Sequence, residues 1–201
     1  MKFIENTITL VINGDFNLMY TRPEWFAKKL FEEKEIQVFT NNLGSGELTF
    51  AKNNVYITPS INKLTLRIAT EELFSEMLNL TNKYLRVTAS PMIYSFGINF
   101  NFINENTTIA KKLNNAFDYN ELCDAEINIK STAFKRTIFE EGKDYIINYE
   151  ALNKGEESII KVNCHFEKQK PYTEIGDFEK DIQSAFNETK ELFEKIYKVK
   201  D

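Results

Sequence analysis

The sequence predicts an α+β fold: a mostly antiparallel sheet of about eight or nine strands, with three or four helices packed mainly on one face. Three observations carry that expectation. Residues 62–104 read as strand, helix and strand, a β-α-β unit. The stretch from Asp124 to Lys170 reads as a three-stranded antiparallel meander. The chain closes on a long amphipathic helix.

Each element follows from its period. Residues 3–13 make a first strand, with Ile4, Ile8, Leu10 and Ile12 on one face and the turn residues Asn13-Gly14-Asp15 at its end. Pro23 suits a first helical turn, and Thr21 with Glu24 has capping-box spacing, so a helix runs to about Glu33 with Phe26, Leu30 and Phe31 inward. Short strands are predicted at 36–40 and 47–58. Turns at Asn42–Gly46 and Asn53-Asn54 divide them, the second a tight hairpin.

In the β-α-β unit, Leu64, Leu66 and Ile68 alternate with polar residues. Thr70 is placed to cap the following helix, whose stripe is Leu73, Phe74, Met77, Leu78, Thr81, Tyr84 and Leu85. From Met92 to Asn104 the period returns to two. Met92, Tyr94, Phe96, Ile98, Phe100 and Phe102 share one face, and Ile93, Ser95, Gly97, Asn99, Asn101 and Ile103 the other. A crossover of this size favours parallel pairing of its two strands within one sheet.

A short helix is expected after Thr107 or Thr108. In the meander, Ile127 and Ile129 open the first strand, and the apolar phase shifts across Ser131–Phe134, which predicts a bulge. Glu141-Gly142-Lys143 and Asn153-Lys154-Gly155 supply the turns. The later strands point Tyr145, Ile147, Tyr149, then Ile160, Val162, Cys164 and Phe166 inward. Asp177 is placed to cap the last helix, which at 1.5 Å per residue is roughly 30 Å long. The 201 residues contain no repeat and no linker, so a single α+β domain over 1–201 is expected, with 104–120 as the place where subdomains would divide.

Bulk properties narrow the function classes. The net charge of -5, and only four arginines among 25 basic residues, argue against nucleic acid as a partner. No window reaches the ~18 consecutive apolar residues of a membrane span, and the opening residues lack the pattern of a signal peptide, so a cytoplasmic protein with no membrane partner is expected. Richness in Lys, Asn, Ile and Phe fits an AT-rich microbial or viral genome. Two cysteines, Cys123 and Cys164, make no disulfide framework.

No catalytic set, cofactor-binding motif or metal-ligand spacing emerges. Cys164 and His165 are adjacent on a strand and point to opposite faces, so they cannot share a proton; Cys164 is expected in the core and His165 among solvated residues. Glu32-Glu33-Lys34 and Glu141-Gly142-Lys143 fall at a helix end and a hairpin turn, poor supports for a carboxylate metal site. No glycine-rich loop precedes a helix. Asn99 and Asn101 interrupt an aromatic-rich strand and are expected to solvate an uncovered face. Trp25 falls off its helix's apolar stripe, so it either packs beneath neighbouring structure or anchors a partner; Tyr20, Arg22 and Trp25 are the partner-binding candidates.

The sequence thus reads as a non-catalytic protein-binding or assembly subunit of a microbial or viral multi-component complex. Its expected partner is another protein, or itself as a homodimer through a sheet edge or the Tyr20–Trp25 region. The alternative is a small metal-dependent hydrolase or nuclease built on carboxylates.

Overall fold

The structure, a computed structural model, describes residues 2–17, 19, 21–40, 47–88, 92–104, 131–139, 141–154, 157–172 and 175–197. The expected turn at Asn42–Gly46, the helix after Thr107, Tyr20, Cys123, Ile127, Ile129, Gly155 and most of 104–120 lie outside these residues.

In chain order the strands are β1 (Lys2–Phe3), β2 (Ile8–Gly14), β3 (Gln37–Thr40), β4 (Leu48–Lys52) and β5 (Val55–Pro59). They continue as β6 (Lys63–Ile68), β7 (Ile93–Asn104), β8 (Ser131–Phe139), β9 (Tyr145–Lys154) and β10 (Glu157–Tyr172). All join one sheet in the order β3-β4-β5-β6-β2-β7-β10-β9-β8, with β1 beside β7. Every described pairing is antiparallel. Helix α1 starts at Pro23–Trp25 and widens into a π-helical turn over Phe26–Phe31. Helix α2 (Phe74–Val87) follows a 3₁₀ turn at Glu71–Leu73, and α3 spans Ile175–Tyr197. The fold is α+β, and among the described residues no helix is long and apolar enough to cross a membrane.

Several local expectations need correction. The two strands joined by α2 do not pair, because β2 lies between β6 and β7, antiparallel to both. That insertion gives each an antiparallel ladder and brings Ile8, Leu10 and Ile12 into the core. The predicted first strand is interrupted, since Asn6 takes a positive φ of 60° and separates β1 from β2. Neither threonine caps its helix: Arg22 occupies the N-cap of α1, and Thr70 makes no cap bond. The Thr70 hydroxyl instead donates to Glu72, which holds that carboxyl below its ordinary value. Helix α3 begins at Ile175, so Asp177 lies within its first turn.

The bulges also sit elsewhere. The register of β8 on β9 is unbroken from Ser131 to Phe139, so the expected bulge is not there. A shift occurs instead between Asn13 and Gly14, which pair with Ser95 and Ile93 and leave Tyr94 as the extra residue on β7. Beyond it the phase flips: Ile93 is buried, while Met92 and Tyr94 are exposed and the Tyr94 hydroxyl donates to Asp15. Gly14 is required here, because a Cβ on it would sit 2.4 Å from the Met92 carbonyl oxygen. The Asn53-Asn54 turn has positive φ at both residues (49° and 65°), as a tight two-residue hairpin demands.

All three described helices lie on one face. Phe96, Ile98, Phe100 and Phe102 of β7 meet Ile160, Val162, Cys164 and Phe166 of β10, all at most 2% exposed. Phe186 of α3 stacks on Phe74 of α2 at 4.1 Å and meets Phe100 edge-on at 5.4 Å. Phe26 of α1 stacks on Phe50 of β4 at 3.8 Å. Burial pushes the Cys164 thiol up to about 12, with the neighbouring Thr189 hydroxyl opposing, and pushes Tyr84 to about 12.

Candidate functional site

Among the described residues no helix lies on the other face of the sheet, and its side chains fall into cross-strand rows fixed by register. The central row runs over five adjacent strands: Thr9, Asn99, Asn163, Asn148 and Thr137. Asn163 Nδ2 donates to Asn99 Oδ1 at 2.8 Å, and Asn99 Nδ2 donates in turn to Thr9 Oγ1 at 3.2 Å. At the far end Thr137 Oγ1 donates to Asn148 Oδ1 at 2.8 Å. Each bond is the cross-strand side-chain pairing that stabilises a sheet. The row continues through Arg67 and Tyr56, where the guanidinium lies 4.4 Å from the ring centroid.

Gly97 makes room for this chain of amides. A Cβ on it would lie 3.2 Å from Asn163 Nδ2, closer than that amide tolerates without moving.

One step along the strands lies a charged row, Asn101, Lys161, Glu150 and Lys135. Lys161 Nζ is 3.6 Å from Glu150 Oε2, with the two side chains 52% and 30% exposed. The two polar rows line an open trough of about 510 Å³ spanning β7 to β8. Apolar residues frame it: Ile103, Ile159 and Leu152 on one side, Val11, Ile146 and Phe139 on the other. Phe139 is 71% exposed, an unusual position for a ring on a polar face. His165 is half-buried in that second rim and Cys164 is fully buried beneath, so the two diverge as expected.

Of the partner-binding candidates from sequence, Tyr20 lies outside the described residues, and Arg22 and Trp25 lie away from the trough. Trp25 is half-buried against its own chain, with its ring edge-on to Phe26 at 5.3 Å and to Tyr84 at 6.4 Å. Arg22 is exposed, and its carbonyl accepts from the amides of Trp25 and Phe26. The expected inward residues Phe26, Leu30 and Phe31 are all buried, on a turn that is π-helical.

Two of the carboxylates considered for the hydrolase alternative are paired with lysines. Glu32 pairs with Lys83 at 2.5 Å and Glu33 with Lys52 at 2.6 Å, around an open concavity at the end of α1. The hydrogen bond and charge of Lys83 hold the Glu32 carboxyl below its ordinary value. Glu141-Gly142 forms the turn between β8 and β9, with Gly142 at φ 84°. Among the described residues, no three His, Cys, Asp or Glu side chains gather as a metal ion needs.

Sequence reasoning singled out Asn99 and Asn101 but missed Asn148, Asn163 and the lysines beside them. The available signal was an asparagine recurring on the polar side of successive strands. No protein-family model matches the sequence, and no curated protein matches it significantly.

Proposed function

We propose that this chain is a non-catalytic protein-binding or assembly subunit, working in the cytoplasm of a microbial or viral system, that docks a partner protein on the uncovered face of its sheet. The observation that carries the reading is the trough itself. Hydrogen-bonding side chains from β7, β10, β9 and β8 converge there between two apolar rims, the polar-and-apolar mixture of a protein interface. A photo-crosslinking residue placed at exposed Thr137 should capture the partner in cells, whereas one at exposed Glu76 on α2 should not. Equal capture at both positions, or capture only at Glu76, would reject this face.

A second reading, a homodimer, rests on the sheet's other edge. All four residues of β3 are exposed, none is charged, and Val38 and Phe39 are 41% and 46% exposed. Such an edge invites pairing with another strand, while β8 at the opposite edge carries the exposed cation Lys135. Light scattering tests it: a dimer that Val38→Lys converts to monomer supports it, and a monomeric parent protein rejects it.

A further inference from the structure

We infer, on the docking reading above, that the β8–β9 corner of the trough binds carboxylate side chains of an acidic polypeptide segment. Charge is the first ground. The residues lining the trough include three cations (Lys135, Arg136, Lys161) against one carboxylate, Glu150, in a chain of net charge -5. The trough is therefore positive on an acidic protein, and positive clefts draw anionic partners.

The second ground is how the amides are held. The Thr137 hydroxyl engages Asn148 Oδ1, which turns the two Nδ2 hydrogens of Asn148 toward a ligand. Lys135 stands on the same face of β8, two residues from Thr137 and diagonal to Asn148. An ammonium and an amide N–H₂ about 7 Å apart or less can close on the two oxygens of one carboxylate through charge-assisted hydrogen bonds. Lys161 offers a second ammonium across Glu150.

The third ground separates polypeptide from nucleic acid. Asn163 uses its Nδ2 on Asn99, leaving its Oδ1 as an acceptor facing the same trough. A polypeptide supplies backbone N–H donors for that oxygen as well as carboxylates for the lysines. A phosphate backbone supplies acceptors only and leaves the Asn163 oxygen without a donor.

The test is a titration of the ¹⁵N-labelled full chain with hexaglutamate, following the asparagine side-chain amide signals. The Asn148 amide should shift most, and Asn99, with both ends engaged, least. Lys135→Gln and Lys161→Gln should each weaken binding about tenfold, both being surface changes. Raising salt from about 50 to about 300 mM should weaken it further. Unmoved Asn148 signals, undiminished affinity in both lysine variants, or tighter binding of a thymidine hexanucleotide would overturn the inference. If hexaglutamate fails while Thr137 still crosslinks a partner, the acidic-segment inference falls and the docking reading stands. If hexaglutamate binds and Thr137 captures nothing, the reverse holds.

Discussion

Strand β7 has two faces with opposite chemistry, and the contrast between them organises the molecule. On one side Phe96, Ile98, Phe100 and Phe102 lie against helices at 2% exposure or less. On the other, Ser95, Asn99 and Asn101 are half-buried, with no described helix above them. Ser95 accepts from Asn13 Nδ2 at 2.8 Å, and Asn99 accepts from Asn163. The first face is held by area removed from water, the second by hydrogen bonds between neighbouring strands. Burial is the larger contribution, so the covered face sets stability and leaves the uncovered face free to serve recognition.

The largest expected effect tests that division directly. Phe100 is fully buried and makes ring contacts with Phe3, Phe102 and Phe186. Phe100→Ala should cost about 3–5 kcal/mol of stability in chemical denaturation. Its neighbour on the opposite face, Asn99→Ala, should cost only about 1 kcal/mol. Equal losses from the two substitutions would dissolve the distinction between the faces.

Cys164 and His165 repeat the comparison one strand away. Cys164→Ser places a hydroxyl in the apolar layer and should destabilise by about 1–3 kcal/mol. With the thiol pushed to about 12 by burial, native Cys164 should also resist alkylation near neutral pH. His165→Ala, on the uncovered face, should leave stability nearly unchanged. Rapid native labelling of Cys164, or a large loss from His165→Ala, would show that the assignment of faces in β10 is inverted.

The covered face was the legible part of the sequence, because burial forces apolar residues to recur with the period of the element. Leu64, Leu66 and Ile68, the stripe of α2 and the inward run Ile160 to Phe166 all appear where alternation places them. Local rules failed where one residue resets the phase. Tyr94 does so as a bulge in β7. The uncovered face was hidden for a different reason. Thr9, Asn99, Asn163, Asn148 and Thr137 become neighbours only through the strand order, and no short-range pattern states that order. The insertion of β2 between β6 and β7, which brings Thr9 beside Asn99, was the piece that periodicity had no means to supply.

A smaller effect sharpens the account of the uncovered face. If Gly97 is there to admit the Asn163 amide, Gly97→Ala should break the Asn163–Asn99 bond and lower stability by about 1 kcal/mol. Combined with Asn163→Ala, which removes the group the new methyl would meet, the loss should be less than additive. Full additivity would mean that the two residues do not meet.

The smallest effect concerns a polar cluster at the rim of the covered face. Glu188 of α3 accepts hydrogen bonds from Lys143 at 2.7 Å, from the Tyr145 hydroxyl and from Ser184 at 2.7 Å. The Lys143 and Tyr145 bonds are the main reason its carboxyl is held at about 2, below the ordinary 4.5. A carboxylate whose folded value is depressed adds stability that is fully present above pH ~4.5 and disappears as the pH falls through ~2. Because the Lys143 and Glu188 side chains are 34% and 37% exposed, solvent screens the pair and the contribution is modest. Glu188→Gln should therefore lower the melting temperature slightly at pH 6, and the gap to the parent protein should close as the pH approaches 2. A gap of the same size at both pH values would mean that the helix is joined to β9 by shape alone, with no part played by the carboxylate's charge.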